Sequence, residues 1–384
     1  MLQHLGTQSV QGSLDSFFTA MGGHDQAMRA VSKSALCQAR RKLKASAFEA
    51  LNQLWVQRWH ASESFERWHG LRVVAADGTC LRLPRWRETQ AAYGPGPCGD
   101  GSVVMARCNA LLSVATGQFL DVRMGRYDQG ERELLMQSID ALQQDDVLVL
   151  DRGYPSWWLF AALQARSVHY CVRIDACSWP DVDRLLRSSA QEMLVQREAR
   201  ADVRQALAEL GLPCAQQLHL RLVKVRLPSG RMEVLATSLL DCDRYPAAAF
   251  CALYGQRWAI EEAFKTIKHR LHVEAWSGEL PHAIEQEVAA KTLMHNIAQA
   301  LCAQATALMG APLAQRYRVN HAYALTHVPR VLVAWIAADL LTLGNALHAV
   351  VSLIARTRDK IRLGRSFTRK HAIGGAQRPR KGYR

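Results

Sequence analysis

The sequence lacks the patterns that mark exported, membrane-spanning or zinc-binding proteins. Its ten cysteines form no C-x-x-C pair, and no histidine cluster completes a zinc-ligand pattern. Its longest apolar run, residues 331–338, is too short to cross a bilayer, and polar residues follow it. The first residues contain no basic segment followed by an apolar one, so we expect no secretory leader. We therefore expect a cytoplasmic protein whose scattered cysteines stay reduced.

Acidic residues are scarce relative to basic ones. The chain has 48 Lys and Arg against 34 Asp and Glu among 384 residues, a formal net charge of +14. This excess favours a polyanionic partner, nucleic acid before an anionic membrane. A hydrophobic content of 49% excludes wholesale disorder and collagen-like structure.

Apolar runs that alternate with amphipathic segments predict an α/β fold. The predicted order is three strands, helix, strand, helix and strand, over residues 71–77, 103–114, 118–125, 131–142, 147–150, 156–164 and 169–174. Residues 175–245 are more charged, and they contain two strand-like runs around Pro228-Ser229-Gly230, which predicts a hairpin. Long helices are predicted over residues 247–270, 281–309 and 331–361.

These patterns divide the chain into four predicted parts. They are an N-terminal helical region (1–66), an α/β core (67–330), a β-rich insertion within that core (175–245), and a C-terminal helix with a basic tail (331–384). The last 29 residues, 356–384, contain 11 Lys and Arg against the single Asp359. We expect this tail to be flexible and to bind a negatively charged partner.

A basic segment, Lys33 to Lys44, stands within the N-terminal helical region. Ser34 is the predicted N-cap of a short helix, and Arg40, Arg41 and Lys42 are its predicted DNA contacts. A short basic helix that follows another helix can enter a DNA groove. The alternative is an ordinary solvated basic face.

Two carboxylates follow apolar strand-like runs. Asp77 comes after residues 73–76 and Asp151 after residues 147–150, and each is followed by a glycine-containing turn. The carboxyl ends of strands in open α/β sheets are where sites are built. A single Asp at such a place is more commonly a turn former or helix cap.

A third group of polar residues has helical spacing. Treated as one helix, Tyr254, Arg257, Glu261 and Lys268 fall within an arc of about 60° beside an apolar stripe. This places the four side chains at the border of the core, where a half-buried site belongs. The alternative is a surface helix stabilised by an Arg257–Glu261 ion pair.

Together these motifs resemble the DDE transposases of bacterial insertion sequences, in particular the insertion-sequence-four family. The matching residues are Asp77-Gly78-Thr79 with Arg82-Leu83-Pro84, Asp151-Arg152-Gly153-Tyr154, and the Y-x2-R-x3-E-x6-K series that ends at Lys268. The resemblance extends from about residue 30 to about residue 370. It implies an RNase H-like mixed sheet flanked by helices, with the insertion placed before the helix of Glu261.

The resemblance also implies the site residues. Asp77, Asp151 and Glu261 would be catalytic and would hold two divalent ions, Mg²⁺ or Mn²⁺. Hard cations of this kind prefer carboxylate oxygens. Tyr254, Arg257 and Lys268 would contact DNA beside the ions. The family can also stack a tryptophan of the insertion on a flipped base; Trp179 is the candidate, although ordinary packing is the favoured interpretation.

The implied function is a transposase that binds insertion-sequence ends, cleaves them by metal-dependent phosphoryl transfer and joins the 3′-OH ends to target DNA. Its partners would be double-stranded DNA, both terminal inverted repeats and target, with a dimer in the DNA complex. It would act in the bacterial cytoplasm, associated with the nucleoid, and no membrane would be among its partners. Two alternatives remain open: a non-catalytic DNA-binding regulator derived from a transposase, and an RNase H-like nuclease without strand transfer.

Overall fold

The computed structural model describes residues 9–22, 28–62, 64–99, 101–175, 179–215, 217–227, 230–337 and 340–362. Residues 363–384, which are most of the predicted basic tail, lie outside these residues, as do residues 228–229 of the predicted hairpin turn.

The helices follow one another in chain order with these bounds: α1 (Val10–Met21), α2 (Lys33–Lys42), α3 (Ala45–Ser62), α4 (Arg87–Tyr93), α5 (Glu131–Gln137), α6 (Trp157–Ala165), α7 (Pro180–Arg187), α8 (Ala201–Glu209), α9 (Phe250–Gly255), α10 (Trp258–Lys265), α11 (Pro281–Met309), α12 (Ala311–Ala314), α13 (His321–Ala337) and α14 (Leu340–Arg356). Short 3₁₀ turns cover Ile139–Ala141 and Ala247–Ala249, and a π-helical turn covers Thr266–Arg270.

The strands have these bounds: β1 (Arg72–Arg82), β2 (Met105–Ser113), β3 (Gln118–Arg126), β4 (Asp146–Leu150), β5 (His169–Ile174), β6 (Glu192–Glu198), β7 (Gln217–Arg226), β8 (Met232–Thr237), β9 (Tyr317–Val319) and β10 (Arg358–Lys360).

Within the described part of the chain, eight strands form one sheet in the order β3-β2-β1-β4-β5-β8-β7-β6. The β1–β4 and β4–β5 pairs are parallel, and the β5–β8, β8–β7 and β7–β6 pairs are antiparallel. Strands β4 and β5 are almost wholly apolar and buried, as parallel strands covered on both faces require. The predicted α/β class, a mixed sheet flanked by helices, is confirmed, and its RNase H-like character stays a prediction.

The parallel β1–β4 pair is fixed at its start by a buried ion pair. Arg72 and Asp146 are register partners, and the guanidinium donates from Nε and Nη2 to the two carboxylate oxygens at 2.6 and 2.7 Å. Arg72 Nη1 lies 3.0 Å from Nδ1 of His60. A one-residue slip of this pair would break a bidentate contact between two buried charges, so the contact specifies the register.

Two compact units make up the chain. The first is drawn from residues 1–59, 81–106 and 265–384, and in it α11 packs against α13 and α14. The second is drawn from residues 60–80 and 107–264 and contains most of the sheet. In the second unit, β6, β7 and β8 lie within the segment predicted as an insertion, and they extend the sheet beyond β5.

Several predicted elements have different bounds in the structure. Ser32, instead of Ser34, is the N-cap of α2, and its Oγ accepts a hydrogen bond from the amide of Ala35 at 3.2 Å. The helix predicted to begin at Val331 begins at His321 and contains Pro329, a residue that disfavours a helical conformation at the position before it. The helix predicted over 247–270 is broken after Gly255, since glycine lowers helix stability at that point.

Among the described residues, no helix combines the length and the apolar character that crossing a membrane requires.

Candidate functional site

Asp77 and Asp151 occupy matching positions on two parallel strands. Ala75 of β1 pairs with Val149 of β4, so two residues further along each strand the chain reaches Asp77 and Asp151. Neighbouring strands lie about 4.8 Å apart, and residues at matching positions face the same side of the sheet. The two predicted carboxylates are therefore brought together where the β1–β4 pairing ends.

The two aspartates differ in their backbone setting. Asp151 comes directly after β4, as predicted, whereas β1 continues through Asp77 to Arg82. The prediction that Asp77 ends its strand is therefore wrong; only its pairing with β4 stops, at Ala75. Each carboxylate accepts a local amide hydrogen bond, from Gly78 to Asp77 at 2.9 Å and from Gly153 to Asp151 at 2.7 Å.

Arg257 connects Asp77 to Glu261. Its Nη1 donates to Asp77 Oδ2 at 3.1 Å, and its Nη2 donates to Glu261 Oε1 at 2.8 Å. The guanidinium is buried, with 9% of the residue exposed, and no partner for its Nε is found among the described residues. The Arg257–Glu261 pair considered as a surface ion pair is thus present, but it is only partly exposed, and its arginine also reaches a strand carboxylate.

The break between α9 and α10 changes the predicted geometry of this segment. Arg257 lies in the break itself, after α9 ends at Gly255 and before α10 begins at Trp258. The 60° arc assumed one continuous helix, and that assumption is wrong. Glu261 is in the first turn of α10, where the helix dipole favours a negative charge.

The carboxylates repel one another across this site. The pKa of Asp77 is raised to about 6: burial is the largest cause and the charges of Asp151 and Glu261 add to it, while Arg257 and the Gly78 amide act in the opposite direction. The pKa of Arg257 is raised above its ordinary value: burial lowers it, but the hydrogen bond to Glu261 and the nearby negative charges outweigh burial. The site therefore holds more negative charge than its one buried guanidinium neutralises.

Two tyrosines line the same region. Tyr154 is fully buried, and its hydroxyl accepts a hydrogen bond from Asn109 Nδ2 at 2.6 Å. Burial raises its pKa well above the ordinary value, and the charges of Glu131, Asp77 and Asp151 add to this. Tyr254 is also buried, and burial likewise raises its pKa. Both phenols are held neutral at physiological pH.

Glu131 is a fourth carboxylate that the sequence analysis missed. It is the first residue of α5, and its carboxylate lies against Gly78: a Cβ at Gly78 would be 2.4 Å from Glu131 Cδ. Arg107 Nη1 lies 3.7 Å from Glu131 Oε1. No spacing rule connects Glu131 to Asp77, because α5 follows β3 and only the folded sheet brings the two together.

The donor set has the chemistry that a divalent cation requires. Three carboxylates supply hard oxygen ligands, and positive charge would offset what raises the pKa of Asp77, which is mainly its burial and to a smaller extent the charges of the other two acids. Among the described residues, no three acidic, His or Cys side chains already form a metal-holding group. Arg257 bonds to Asp77 and Glu261, and in this arrangement it supplies the positive charge between them.

The remaining predicted DNA contacts belong to the first unit. Lys268 is in the π-helical turn of the first unit and is half-buried. Arg41 and Lys42 are exposed on α2, but Arg40 is buried. Arg40 donates to Ser277 Oγ at 2.7 Å and to three groups of α11: Gln286 Oε1, the carbonyl of Ala283 and Glu287 Oε1, at 3.2, 3.0 and 3.2 Å.

Trp179, the base-stacking candidate, packs against other aromatic side chains. Its ring stacks on Trp157 at a centroid distance of 4.4 Å and meets Phe160 edge-on at 6.0 Å. These contacts agree with the packing interpretation that the sequence analysis favoured.

Comparison with known proteins gives a consistent result. A family model described as "Transposase DDE domain" matches residues 68–297, a range that contains the site described above. The chain is 25% identical over 272 residues to the transposase InsG for insertion sequence element IS4 of Escherichia coli (strain K12), and the match covers 70% of this chain and 60% of that protein. Among solved structures, the piggyBac transposase synaptic complex with hairpin DNA matches 74% of this chain and 53% of that chain, at 9% identity and a TM-score of 0.38.

Proposed function

Because the chain belongs to the transposase DDE domain family, we propose that it is a DNA transposase whose catalytic residues are Asp77, Asp151 and Glu261. One observation carries the proposal. The β1–β4 register, extended two residues past Ala75 and Val149, aligns Asp77 with Asp151, and Arg257 bonds to both Asp77 and Glu261, which supports one half-buried, negatively charged site for the three acids.

We propose that these three carboxylates hold two Mg²⁺ or Mn²⁺ ions. Such ions, when bound, activate the attacking oxygen and stabilise the leaving oxygen in an in-line phosphoryl displacement. The protein's own part is to fix the ligands. The amides of Gly78 and Gly153 orient the carboxylates of Asp77 and Asp151, and the first turn of α10 orients Glu261.

The neighbouring side chains have supporting roles in this proposal. Arg257 neutralises two of the acids, and in the DNA complex its planar guanidinium can donate to a phosphate. Tyr254 and Tyr154 exclude water from one side of the site, and they do so as neutral phenols. Lys268 is proposed as a second phosphate contact, as the family motif implies.

The substrates proposed are the terminal inverted repeats of the element and target DNA, with a dimer in the DNA complex at the bacterial nucleoid. Arg41 and Lys42 are exposed and suit phosphate contact. Arg40 is part of the same proposal, but DNA would have to compete for it with α11, because its donors already bond to buried groups of that helix.

The test is end cleavage and joining by the full chain. A labelled duplex that carries the element end is incubated with a plasmid in the presence of Mg²⁺, and in a parallel reaction with EDTA. We expect cleavage at the element end and label joined to the plasmid, both lost with EDTA. Cleavage without joining would support the nuclease alternative, and binding without cleavage would support the regulator.

A further inference from the structure

An exposed Arg-Trp-Arg segment, Arg85-Trp86-Arg87, lies between β1 and α4 in the first unit. Trp86 is 47% exposed, and Arg85 and Arg87 are exposed on either side of it. Within the described part of the chain, neither guanidinium has an ion-pair partner. An exposed Glu88 follows, so the segment with its neighbour keeps an excess of positive charge.

The chain before the segment is held firmly. Leu83 is buried, and its amide donates to the carbonyl of Val104 at 2.9 Å. The amide of Arg82 donates to Glu274 Oε1 at 3.0 Å, and Trp276 Nε1 donates to the carbonyl of Arg82 at 2.8 Å. The backbone just before the Arg-Trp-Arg segment is therefore held in a fixed position.

The chain after the segment is equally fixed. Thr89 is fully buried, and its hydroxyl donates to the carbonyl of Glu279. The hydroxyl of Tyr93 donates to Glu285 Oε1 at 3.2 Å. Between the buried Leu83 and the buried Thr89, the exposed tryptophan and arginines are thus presented on a rigid support, which reduces the ordering cost of binding.

A comparison within the same unit shows what distinguishes this segment. Trp335 is also exposed, at 51%, but its neighbours in sequence are alanine and isoleucine, and its ring meets Trp55 edge-on at 5.8 Å. Single exposed hydrophobic side chains are common on protein surfaces. An exposed aromatic ring with an exposed arginine before and after it in sequence, neither of them in an ion pair among the described residues, matches a ligand that alternates flat rings with negative charges.

We propose that the Arg-Trp-Arg segment is a contact site for unpaired DNA, with Trp86 stacked on an unpaired base next to a DNA end, and Arg85 and Arg87 on the flanking phosphates. Bases stack on aromatic side chains independently of sequence, while arginines follow the backbone. An intact duplex offers phosphates but no free base face, so the stacking contact selects unpaired DNA. This inference rests on the proposed function, since it assigns a contact for the same substrate.

The test compares two labelled probes with the full chain. One is a blunt duplex, and the other is the same duplex with a short single-stranded extension. We expect Trp86→Ala to weaken binding of the extended probe about tenfold, the loss that one stacked base gives, and to change binding of the blunt probe little. Trp86→Phe should keep most of the preference, and Trp335→Ala is the matched control that should change neither probe.

The proposed phosphate contacts of the two arginines are tested by a second measurement, the salt dependence of binding. The double variant Arg85→Ala/Arg87→Ala should weaken both probes and make the salt dependence of binding shallower by about two phosphate contacts. Thermal melting verifies that each variant is folded. If Trp86→Ala weakens both probes equally, or neither, the stacking proposal is wrong, and an unchanged salt slope in the arginine variant would exclude the phosphate contacts.

Failure of this inference can be told apart from failure of the proposed function. If wild-type protein cleaves and joins element ends while Trp86→Ala binds both probes normally, only the Arg-Trp-Arg proposal fails. If wild-type protein does not cleave, the catalytic proposal fails whatever Trp86 does.

Discussion

Arg257 and Gly78 show how much of the site depends on single residues. Arg257 lies where a helix is interrupted, and this position lets one guanidinium reach both Asp77 and Glu261. Gly78 has no side chain where the carboxylate of Glu131 lies against the strand. The first contact links two of the acids, and the second leaves room for a fourth carboxylate beside them.

Gly78→Ala should lower the cleavage rate because its Cβ would overlap the Glu131 carboxylate at 2.4 Å. The carboxylate, at the far end of a flexible side chain, must then move away from the strand, and this changes the negative charge beside Asp77. Adding Glu131→Ala should restore part of the lost rate, since it removes the overlapping group. Cleavage rates of the two single variants and the double variant measure this coupling.

Gly344→Ala is the matched control for that series. Gly344 is exposed in α14, and a Cβ there would meet no atom within 4 Å. This variant should keep the wild-type rate and be slightly more stable, because alanine favours the helix. Purely additive effects of Gly78→Ala and Glu131→Ala would contradict the packing explanation.

His60 predicts a pH dependence of stability. Burial and the charges of Arg72 and Arg67 lower its pKa to about 4, below the ordinary value of 6.5. The unfolded chain therefore binds the proton more readily, so the contribution of neutral His60 is complete above about pH 6.5 and is lost as the pH falls towards about 4. The melting temperature should fall between about pH 7.5 and about pH 5.

The variant His60→Gln should show a smaller fall over the same interval, because glutamine does not titrate. His348→Gln, at an exposed position, should behave as the wild type does. An equal fall in the wild type and in His60→Gln would assign the pH dependence to other groups.

At the scale of elements, local sequence signals predicted the buried strands and the longest helix well. Strand β4 with Asp151 after it, and α11 from Pro281 to Met309, follow from apolar runs, capping residues and proline position. The break after Gly255 and the continuation of α13 through Pro329 were missed. The helix through Pro329 goes against the local preference of proline, so tertiary packing must override it, whereas Gly255 is a local signal that the assumption of one continuous helix passed over. Glu131 was missed because only the folded sheet brings it beside Gly78.

Helix α2 gives a prediction that separates structure from DNA contact. Arg40 is 6% exposed and bonded to Glu287, whereas its neighbour Arg41 is exposed. Arg40→Ala leaves Glu287 buried without its cation and should lower the free energy of unfolding by about 3–5 kcal/mol. Arg41→Ala should change it by less than about 0.5 kcal/mol.

DNA binding should show the opposite ranking. Arg41→Ala should make the salt dependence of DNA binding shallower by about one phosphate contact. Chemical denaturation and binding at several salt concentrations measure the two effects. If Arg40→Ala is as stable as the wild type and its DNA binding depends less steeply on salt, Arg40 is instead a DNA contact.

At the scale of the whole molecule, the compact units do not follow the order of the chain. The N-terminal helices belong to the same unit as α11 and the C-terminal helices, and Arg40 of α2 is bonded within it. Removing residues 1–60 would therefore uncover the Glu287 carboxylate, so point variants on the exposed face of α2 are the better test of end recognition. The assignment of recognition to residues 1–66 stays a prediction.

The central claim is that Asp77, Asp151 and Glu261 form one metal-dependent site for DNA cleavage. The most direct measurement is Mg²⁺-dependent cleavage of an element-end duplex by wild type, Glu261→Gln and Glu262→Gln, with binding of the same duplex measured in parallel. Glu262 is the exposed neighbour of Glu261, so it matches the change in charge and shape. We predict that Glu261→Gln abolishes cleavage and keeps binding, while Glu262→Gln keeps both; cleavage by Glu261→Gln at the wild-type rate would contradict the account.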